Sequence, residues 1–138
     1  MKEQPLKTSA SFWDELWKTN LTGWDLKAVS PPLKAFIDTL EDKSISILIP
    51  GCGNAYEAEY LLSNGFSQIT VIDISPTLST QLLEKFSAYI GKELTVICGD
   101  FFKHTGQYDL ILEQTFFCAL DPNLRIAYVA QMHNLLKP

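Results

Sequence analysis

Short apolar runs alternate along the chain with longer stretches in which apolar residues recur every three or four positions. The runs cover residues 45–49, 69–74, 94–98 and 108–113. Runs of this length predict strands, and the longer spacing predicts amphipathic helices. Strands that are apolar throughout are buried on both faces, so the alternation predicts an α/β fold with a doubly wound, Rossmann-like parallel sheet.

Helix boundaries are predicted from capping residues. Asn54 with Glu57 three positions later predicts the start of the helix after the first strand, and Asn64-Gly65 predicts its end. Ser75-Pro76 predicts the start of the next helix, since proline loses nothing in a first turn, and the four-residue spacing continues to Ile90.

Two further helices are predicted at either end of this region. One follows Ser30, and the last begins at Asp121-Pro122. We expect the apolar face of the last helix to contain Leu124, Ala127, Tyr128, Met132, Leu135 and Leu136.

The first 30 residues differ from the rest because they contain all three tryptophans, Trp13, Trp17 and Trp24. Ser11 and Asp14 have the spacing of a cap and its reciprocal acid, which predicts a short helix there. Trp13 and Trp17 are four positions apart, so they share one face of that helix.

Composition narrows the function classes. The chain has 138 residues, 46% of them hydrophobic, and a formal net charge of −5, which predicts one globular domain and argues against a nucleic-acid partner. No apolar run is long enough for a membrane helix, and no signal peptide is predicted. The scattered cysteines Cys52, Cys98 and Cys118 fit a reducing cytoplasm, and no spacing supports a metal site.

Ligands of doubly wound sheets bind where strands end, so the residues after each strand are the candidates. Gly51, Cys52 and Gly53 follow the first strand. They form either a glycine loop that lets the backbone approach a ligand closely, with a partial match to G-x-G-x-x-G, or only a tight turn. Asp73 ends the second strand, 22 residues after Gly51; it either accepts hydrogen bonds from ribose hydroxyls or begins a helix.

The third and fourth strands are followed by further candidates. Gly99, Asp100 and Phe101 combine a carboxylate with an apolar ring, which suits an adenine base, although a loop acid beside a core ring is the alternative. Glu113 and Gln114 follow the fourth strand, where they either contact a cofactor or substrate or close the strand end.

These segments together resemble the class I S-adenosylmethionine-dependent methyltransferases, and most closely the thiopurine S-methyltransferase family in its thiol and halide methyltransferase branch. The resemblance covers nearly the whole chain and is carried by FWDELW (12–17), TGWDLKAVSPPL (22–33), LIPGCGNAYEAEYL (48–61), VIDIS (71–75), CGDFF (98–102), YDLILEQTFFCALDP (108–122) and RIAYVAQMHNLLKP (125–138). It implies an enzyme that methylates a small thiol, thiopurine or halide, with S-adenosylmethionine as cofactor.

The resemblance also implies site residues. Residues 1–30 would form an arm over the cofactor, Asp73 would hold the ribose, and Gln114 occupies a position that some relatives fill with arginine. The cofactor-binding residues implied are Trp13, Trp17, Trp24, Gly51, Cys52, Gly53, Asp73, Ile74, Gly99, Asp100, Phe101, Glu113 and Gln114. No catalytic base is identified, and Cys52 and Cys118 are expected to be structural, with His104 a solvated loop residue.

Relatives of this family continue past the LLKP segment at 135–138, so the chain is expected to be a single cofactor-binding domain, 1–138, that lacks the C-terminal strands and the substrate half. We expect a cytoplasmic monomer for the complete protein, without nucleic-acid or membrane partners, and self-association of this fragment through its exposed strand edge. Two alternatives remain at this point: a non-catalytic cofactor-binding module, and a nicotinamide-dependent oxidoreductase.

Overall fold

Four parallel strands form one sheet in the part of the chain that the computed structural model describes, which is residues 14–15, 18, 29–52, 54–113 and 122–138. The strands lie in the order β3-β2-β1-β4, which confirms the predicted doubly wound arrangement. Their bounds are β1 Ser46–Pro50, β2 Gln68–Asp73, β3 Leu94–Cys98 and β4 Leu110–Ile111.

Four helices accompany this sheet in the described ranges. They are α1 Pro31–Asp38, α2 Tyr56–Ser63, α3 Pro76–Lys85 and α4 Arg125–Leu135, with 3₁₀ turns at Phe101–Lys103 and Pro122–Leu124. Asp14, Glu15 and Lys18 are also helical. None of the described helices combines the length and the apolar character that crossing a bilayer requires.

The strands bury both of their faces. Ile47 and Val71 point to one side and join a core with the inward residues of α1, α2 and α3, namely Ile37, Ala58, Leu61, Leu78 and Leu82. Leu48 and Ile72 point to the other side, where they pack against Phe101, Tyr108 and Leu135. Successive strand residues therefore alternate between two apolar layers, which explains why the strands are apolar throughout.

Two predicted helix boundaries are confirmed. Helix α2 is capped at Asn64 and Gly65, where the Gly65 amide donates to Leu62 O and the Phe66 amide donates to Leu61 O. This is the Schellman pattern, and Gly65 supplies the positive φ of 88° that it needs. Helix α3 begins after Ser75, whose hydroxyl accepts a hydrogen bond from the Leu78 amide at 3.1 Å.

The predicted start of α2 is wrong. The helix begins at Tyr56, and the residue before it, Ala55, has a left-handed backbone with φ 57°. Glu57 does not cap its own helix but is buried, and its Oε1 accepts from the Ser30 amide at 3.4 Å. Asn54 and Glu57 therefore have the spacing of a local cap without forming one, because the acid serves the start of α1 instead.

Three other predicted bounds are too generous. Helix α3 ends at Lys85 rather than continuing to Ile90, which forms an isolated bridge with Leu94. The predicted strand 108–113 is reduced to β4, because Tyr108 bridges Leu136 instead of β1. Helix α4 begins at Arg125, after a 3₁₀ turn, and Ala127 and Leu136 of its predicted buried face are exposed.

The left-handed Ala55 gives a test of backbone strain. Ala55 and Ala58 are both fully buried, but only Ala58 has helical backbone. Ala58→Gly removes a buried methyl group, and glycine loses more backbone entropy than alanine when it folds into a helix. We therefore expect this variant to lower the free energy of unfolding by about 1–2 kcal/mol. In Ala55→Gly the lost methyl group is offset by relief of the left-handed strain, and we expect a loss of about 0.5 kcal/mol or less. Urea unfolding measures both variants, and equal losses would contradict the assignment.

Candidate functional site

Hydrogen bonds that continue past the strand ends bring three candidate segments together. The Gly51 amide donates to Ile72 O at 2.9 Å, and the Gly99 amide donates to Asp73 O at 2.9 Å. Asp73 is therefore flanked by the segments that follow β1 and β3. Gly51, Asp73 and Gly99 thus lie at one edge of the sheet, and Asp100 follows Gly99 directly in the chain.

Asp73 is half-buried, and its Oδ1 accepts a hydrogen bond from the Ser75 amide at 3.0 Å. This is the helix-start role that the sequence left open. A carboxylate has two oxygens and about four acceptor positions, so this role is compatible with binding hydroxyl groups as well. Ile74 is likewise half-buried, next to Asp73 at the same edge.

The segment after β3 has a capped turn. Asp100 Oδ1 accepts from the Phe102 amide at 2.9 Å, and both Gly99 and Asp100 are half-buried. Phe101 is only 4% exposed, and its ring packs in the core at 5.9 Å from the Tyr128 ring. The Phe101 ring thus belongs to the core, as one alternative held, whereas Asp100 lies at the sheet edge.

The loop after β1 combines a left-handed glycine with a buried thiol. Gly51 has a φ of 58°, so the tight turn itself favours glycine there. Cys52 is buried, and burial raises the pKa of its thiol well above the usual value, with the charges of Asp73 and Glu57 raising it further. A thiol held protonated in this way does not act as a nucleophile, which agrees with the expected structural role.

Glu113 follows β4 and is paired with a residue that the sequence had placed only in the apolar face of the last helix. The Tyr128 hydroxyl donates to Glu113 Oε1 at 3.1 Å. Burial raises the pKa of Tyr128, and the Glu113 charge raises it further, so the hydroxyl stays protonated as the donor. The pair forms a fixed polar contact at the end of β4.

His104 lies in a loop, as expected, but it is half-buried rather than fully solvated. Its Nε2 lies 2.8 Å from the Tyr108 hydroxyl, and burial lowers the pKa of its imidazole. The buried Gln131 Nε2 donates to His104 O at 2.7 Å and to Phe101 O at 2.8 Å. These contacts hold the loop against the apolar layer that contains Phe101, Tyr108 and Leu135.

Two residues that the sequence did not link to the site contact its loops. Lys85 Nζ donates to Asn54 O at 3.2 Å and lies 4.9 Å from the centre of the Tyr56 ring, so α3 holds the glycine loop. Asp14 Oδ1 accepts from the Thr77 amide at 2.7 Å. Both contacts join residues more than 30 positions apart, and no local sequence pattern signals them.

Five of the predicted site residues lie outside the described residues: Trp13, Trp17, Trp24, Gly53 and Gln114. Across the described ranges, no group of three or more His, Cys, Asp or Glu side chains is arranged to hold a metal ion.

The family model for thiopurine S-methyltransferase matches residues 8–138 of the chain. A protein named probable thiol methyltransferase 2 from Arabidopsis thaliana is 31% identical over 135 residues, which cover 96% of this chain and 59% of that protein. Thiocyanate methyltransferase 1 from the same plant is 29% identical, with 91% and 56% covered. The chain therefore spans somewhat more than half the length of these relatives.

Solved structures are similar in fold. A Burkholderia thailandensis 1,6-didemethyltoxoflavin-N1-methyltransferase, crystallised with 1,6-didemethyltoxoflavin and S-adenosylhomocysteine, superposes with a TM-score of 0.75 at 19% identity, over 99% of this chain and 63% of that one. Magnesium protoporphyrin IX methyltransferase from Synechocystis gives 0.75 at 14% identity, over 99% and 75%. The fold of the chain is that of the class I methyltransferases.

The two described cysteines differ in exposure, which predicts different reactivity. Cys98 is exposed, whereas Cys52 is buried with a raised thiol pKa. At pH 8 we expect iodoacetamide to alkylate Cys98 at least about a hundredfold faster than Cys52, since alkylation needs an accessible thiolate. Raising the pH to 9 should leave Cys52 protected, because its folded-state pKa lies above the ordinary one. Peptide mapping by mass spectrometry reads each site, and rapid labelling of Cys52 in the folded protein would contradict the assignment.

Proposed function

The chain belongs to the thiopurine S-methyltransferase family, and from this premise we propose that it forms the cofactor-binding part of an enzyme that methylates a small sulfur nucleophile with S-adenosylmethionine. The observation that carries the proposal is the adjacency of Gly51, Asp73 and Gly99, which two hydrogen bonds past the strand ends fix at one edge of the sheet. Ligands of doubly wound sheets bind at this edge.

The groups at this edge suit a nucleoside. The Asp73 carboxylate is an acceptor for the two ribose hydroxyls, and Asp100 is an acceptor for the adenine amino group. Gly99 supports the same view, since its φ is not left-handed and a Cβ there would meet only Ile97 Cγ2, at 3.7 Å. The fold itself therefore does not require glycine at position 99, whereas close approach of a ligand to the backbone there would require it.

The electrostatics of the loop after β1 suit a cation. Burial raises the pKa of the Cys52 thiol, and the charges of Asp73 and Glu57 raise it further, because both carboxylates lie near that loop. A sulfonium cation and an ammonium group are favoured near such negative charges. The three tryptophans of the arm, Trp13, Trp17 and Trp24, would add about 0.5–2 kcal/mol each if their ring faces contact the cation.

When bound, S-adenosylmethionine supplies an electrophilic methyl group for direct displacement. The residues of this chain then have to bind, orient and exclude water rather than move a proton. We propose that Glu113, held by Tyr128, and Gln114 orient the ligands at the end of β4. A thiol with a pKa of about 8.5 already supplies a few per cent of thiolate at neutral pH, so a strong base is dispensable.

The acceptor class rests on the relatives. A thiol and thiocyanate are named for the two Arabidopsis proteins, and both are soft sulfur nucleophiles. With the thiopurine named for the family model, they support a thiol or thiopurine as the acceptor, and the halide that the resemblance also implies stays a prediction. A cytoplasmic location, a monomeric complete protein, residues 1–30 as an arm over the cofactor and the absence of a nucleic-acid partner stay predictions.

Substitution of Asp73 tests cofactor binding with a matched control. Asp73→Asn removes the charge but keeps an oxygen for the Ser75 amide. We expect affinity for S-adenosylhomocysteine, measured by isothermal titration calorimetry, to fall by about tenfold to a hundredfold, since hydrogen bonds to a charged group are lost. The control is Asp42→Asn, because Asp42 Oδ1 accepts from the Ser44 amide in the same way but is exposed.

The control should bind with unchanged affinity. Equal affinity of Asp73→Asn and the wild type would contradict the role of Asp73. If the protein bound NAD and did not bind S-adenosylhomocysteine, the proposal of a methyltransferase would give way to that of an oxidoreductase.

The pH dependence of methyl transfer tests the absence of a required base. For the complete protein with a simple thiol acceptor, we expect kcat/KM to rise about tenfold per pH unit below the acceptor pKa of about 8.5, following the thiolate fraction. For iodide, which carries no proton, the rate should stay flat over the same range. A radiolabelled methyl assay gives both profiles. A shared ionisation in the two profiles would reveal an essential group of the enzyme and contradict the proposal.

A further inference from the structure

Asp14 is hydrogen-bonded to a helix more than 60 residues away in the sequence. Its Oδ1 accepts from the Ser75 hydroxyl at 2.8 Å and from the Thr77 amide at 2.7 Å. Its Oδ2 lies 3.2 Å from Lys18 Nζ, and the Asp14 side chain is 14% exposed against 58% for Lys18. The carboxylate therefore contacts the start of α3 as well as Lys18 of its own segment.

The amides of the first turn of α3 show what Asp14 contributes. Pro76 has no amide hydrogen, and the Leu78 amide is taken by the Ser75 hydroxyl. The Thr77 amide is satisfied by Asp14. Burial alone would raise the pKa of Asp14, but the hydrogen bonds from Thr77 and Ser75 and the contact with Lys18 hold it well below its usual range. The residue is therefore a carboxylate at any pH near neutral.

Ser75 connects this carboxylate to the candidate site. Its hydroxyl donates to Asp14 Oδ1, and its backbone amide donates to Asp73 Oδ1 at 3.0 Å. The Ser75 side chain is completely buried, so it has no water to replace a lost partner. By holding the Ser75 hydroxyl and the Thr77 amide, Asp14 holds the backbone of Ser75 in place, and the amide of Ser75 orients the Asp73 carboxylate.

We propose that Asp14 is a positioning residue for the adenosyl ligand. Asp14 acts through Ser75 and thereby orients the carboxylate of Asp73. The inference rests on the proposed function, because Asp73 is assigned to the ribose there. It assigns Asp14 a role beyond capping α3, because Asp14 is joined to Asp73 by two hydrogen bonds through Ser75.

Affinity for S-adenosylhomocysteine, measured by calorimetry below the unfolding temperature of every variant, tests the inference. We expect Asp14→Ala to weaken binding by about tenfold and Asp14→Asn by about twofold at most, since aspartate and asparagine are equally good acceptors at a helix start. The control is Asp42→Ala, which removes a comparable carboxylate–serine contact on an exposed loop and should leave affinity unchanged.

A double-mutant cycle separates positioning from a general loss of structure. If Asp14 acts on Asp73, then Asp14→Ala should cost almost nothing in the Asp73→Asn background, where the charged carboxylate is already absent. A purely structural role would cost the same factor in both backgrounds and would overturn the inference. Equal affinity of Asp14→Ala and the wild type would overturn it alone, whereas a wild type that does not bind S-adenosylhomocysteine would overturn the proposed function together with it.

Discussion

The parallel pairing of β2 with both of its neighbours is the constraint on which the candidate site depends. Hydrogen bonds hold adjacent strands about 4.8 Å apart, and here they continue one residue past the strands, to Gly51 and Gly99. The register is fixed because Val71 and Ile72 must face opposite apolar layers. A slip by one residue would exchange those faces and move Asp73 to the wrong side of the sheet.

Helix starts near this edge are completed by side chains from elsewhere in the chain. Glu57 of α2 accepts from the Ser30 amide at the start of α1, and Asp14 accepts from the Thr77 amide at the start of α3. Buried amides need partners, and a charged oxygen near a helix start also gains from the helix dipole. Several acids near the site therefore contribute to folding, and a ligand role for any of them is an addition to that contribution.

The elements that sequence reasoning predicted well depend on local chemistry. Strand β3 has the predicted bounds, Ser75 caps α3, and Gly65 closes α2, because each outcome is decided by neighbouring residues. The errors arise where a distant partner decides. Glu57 looked like a local cap but serves Ser30, and Tyr108 looked like part of a strand but bridges Leu136. The convergence of the site was predictable from parallel topology, whereas the contacts of Asp14 were not.

The sequence Asp-x-Ser occurs twice with the same local geometry, and the comparison shows what decides a site. Asp42 Oδ1 accepts from the Ser44 amide at 2.9 Å, and Asp73 Oδ1 accepts from the Ser75 amide at 3.0 Å. Asp42 precedes β1 and is exposed at the opposite edge, whereas Asp73 ends β2 between two glycine turns. The motif forms a turn in both places. Only at the carboxyl end of a strand, where doubly wound sheets bind ligands, is it placed to contact one. The ligand role proposed for Asp73 therefore depends on the sheet's topology and not on the motif.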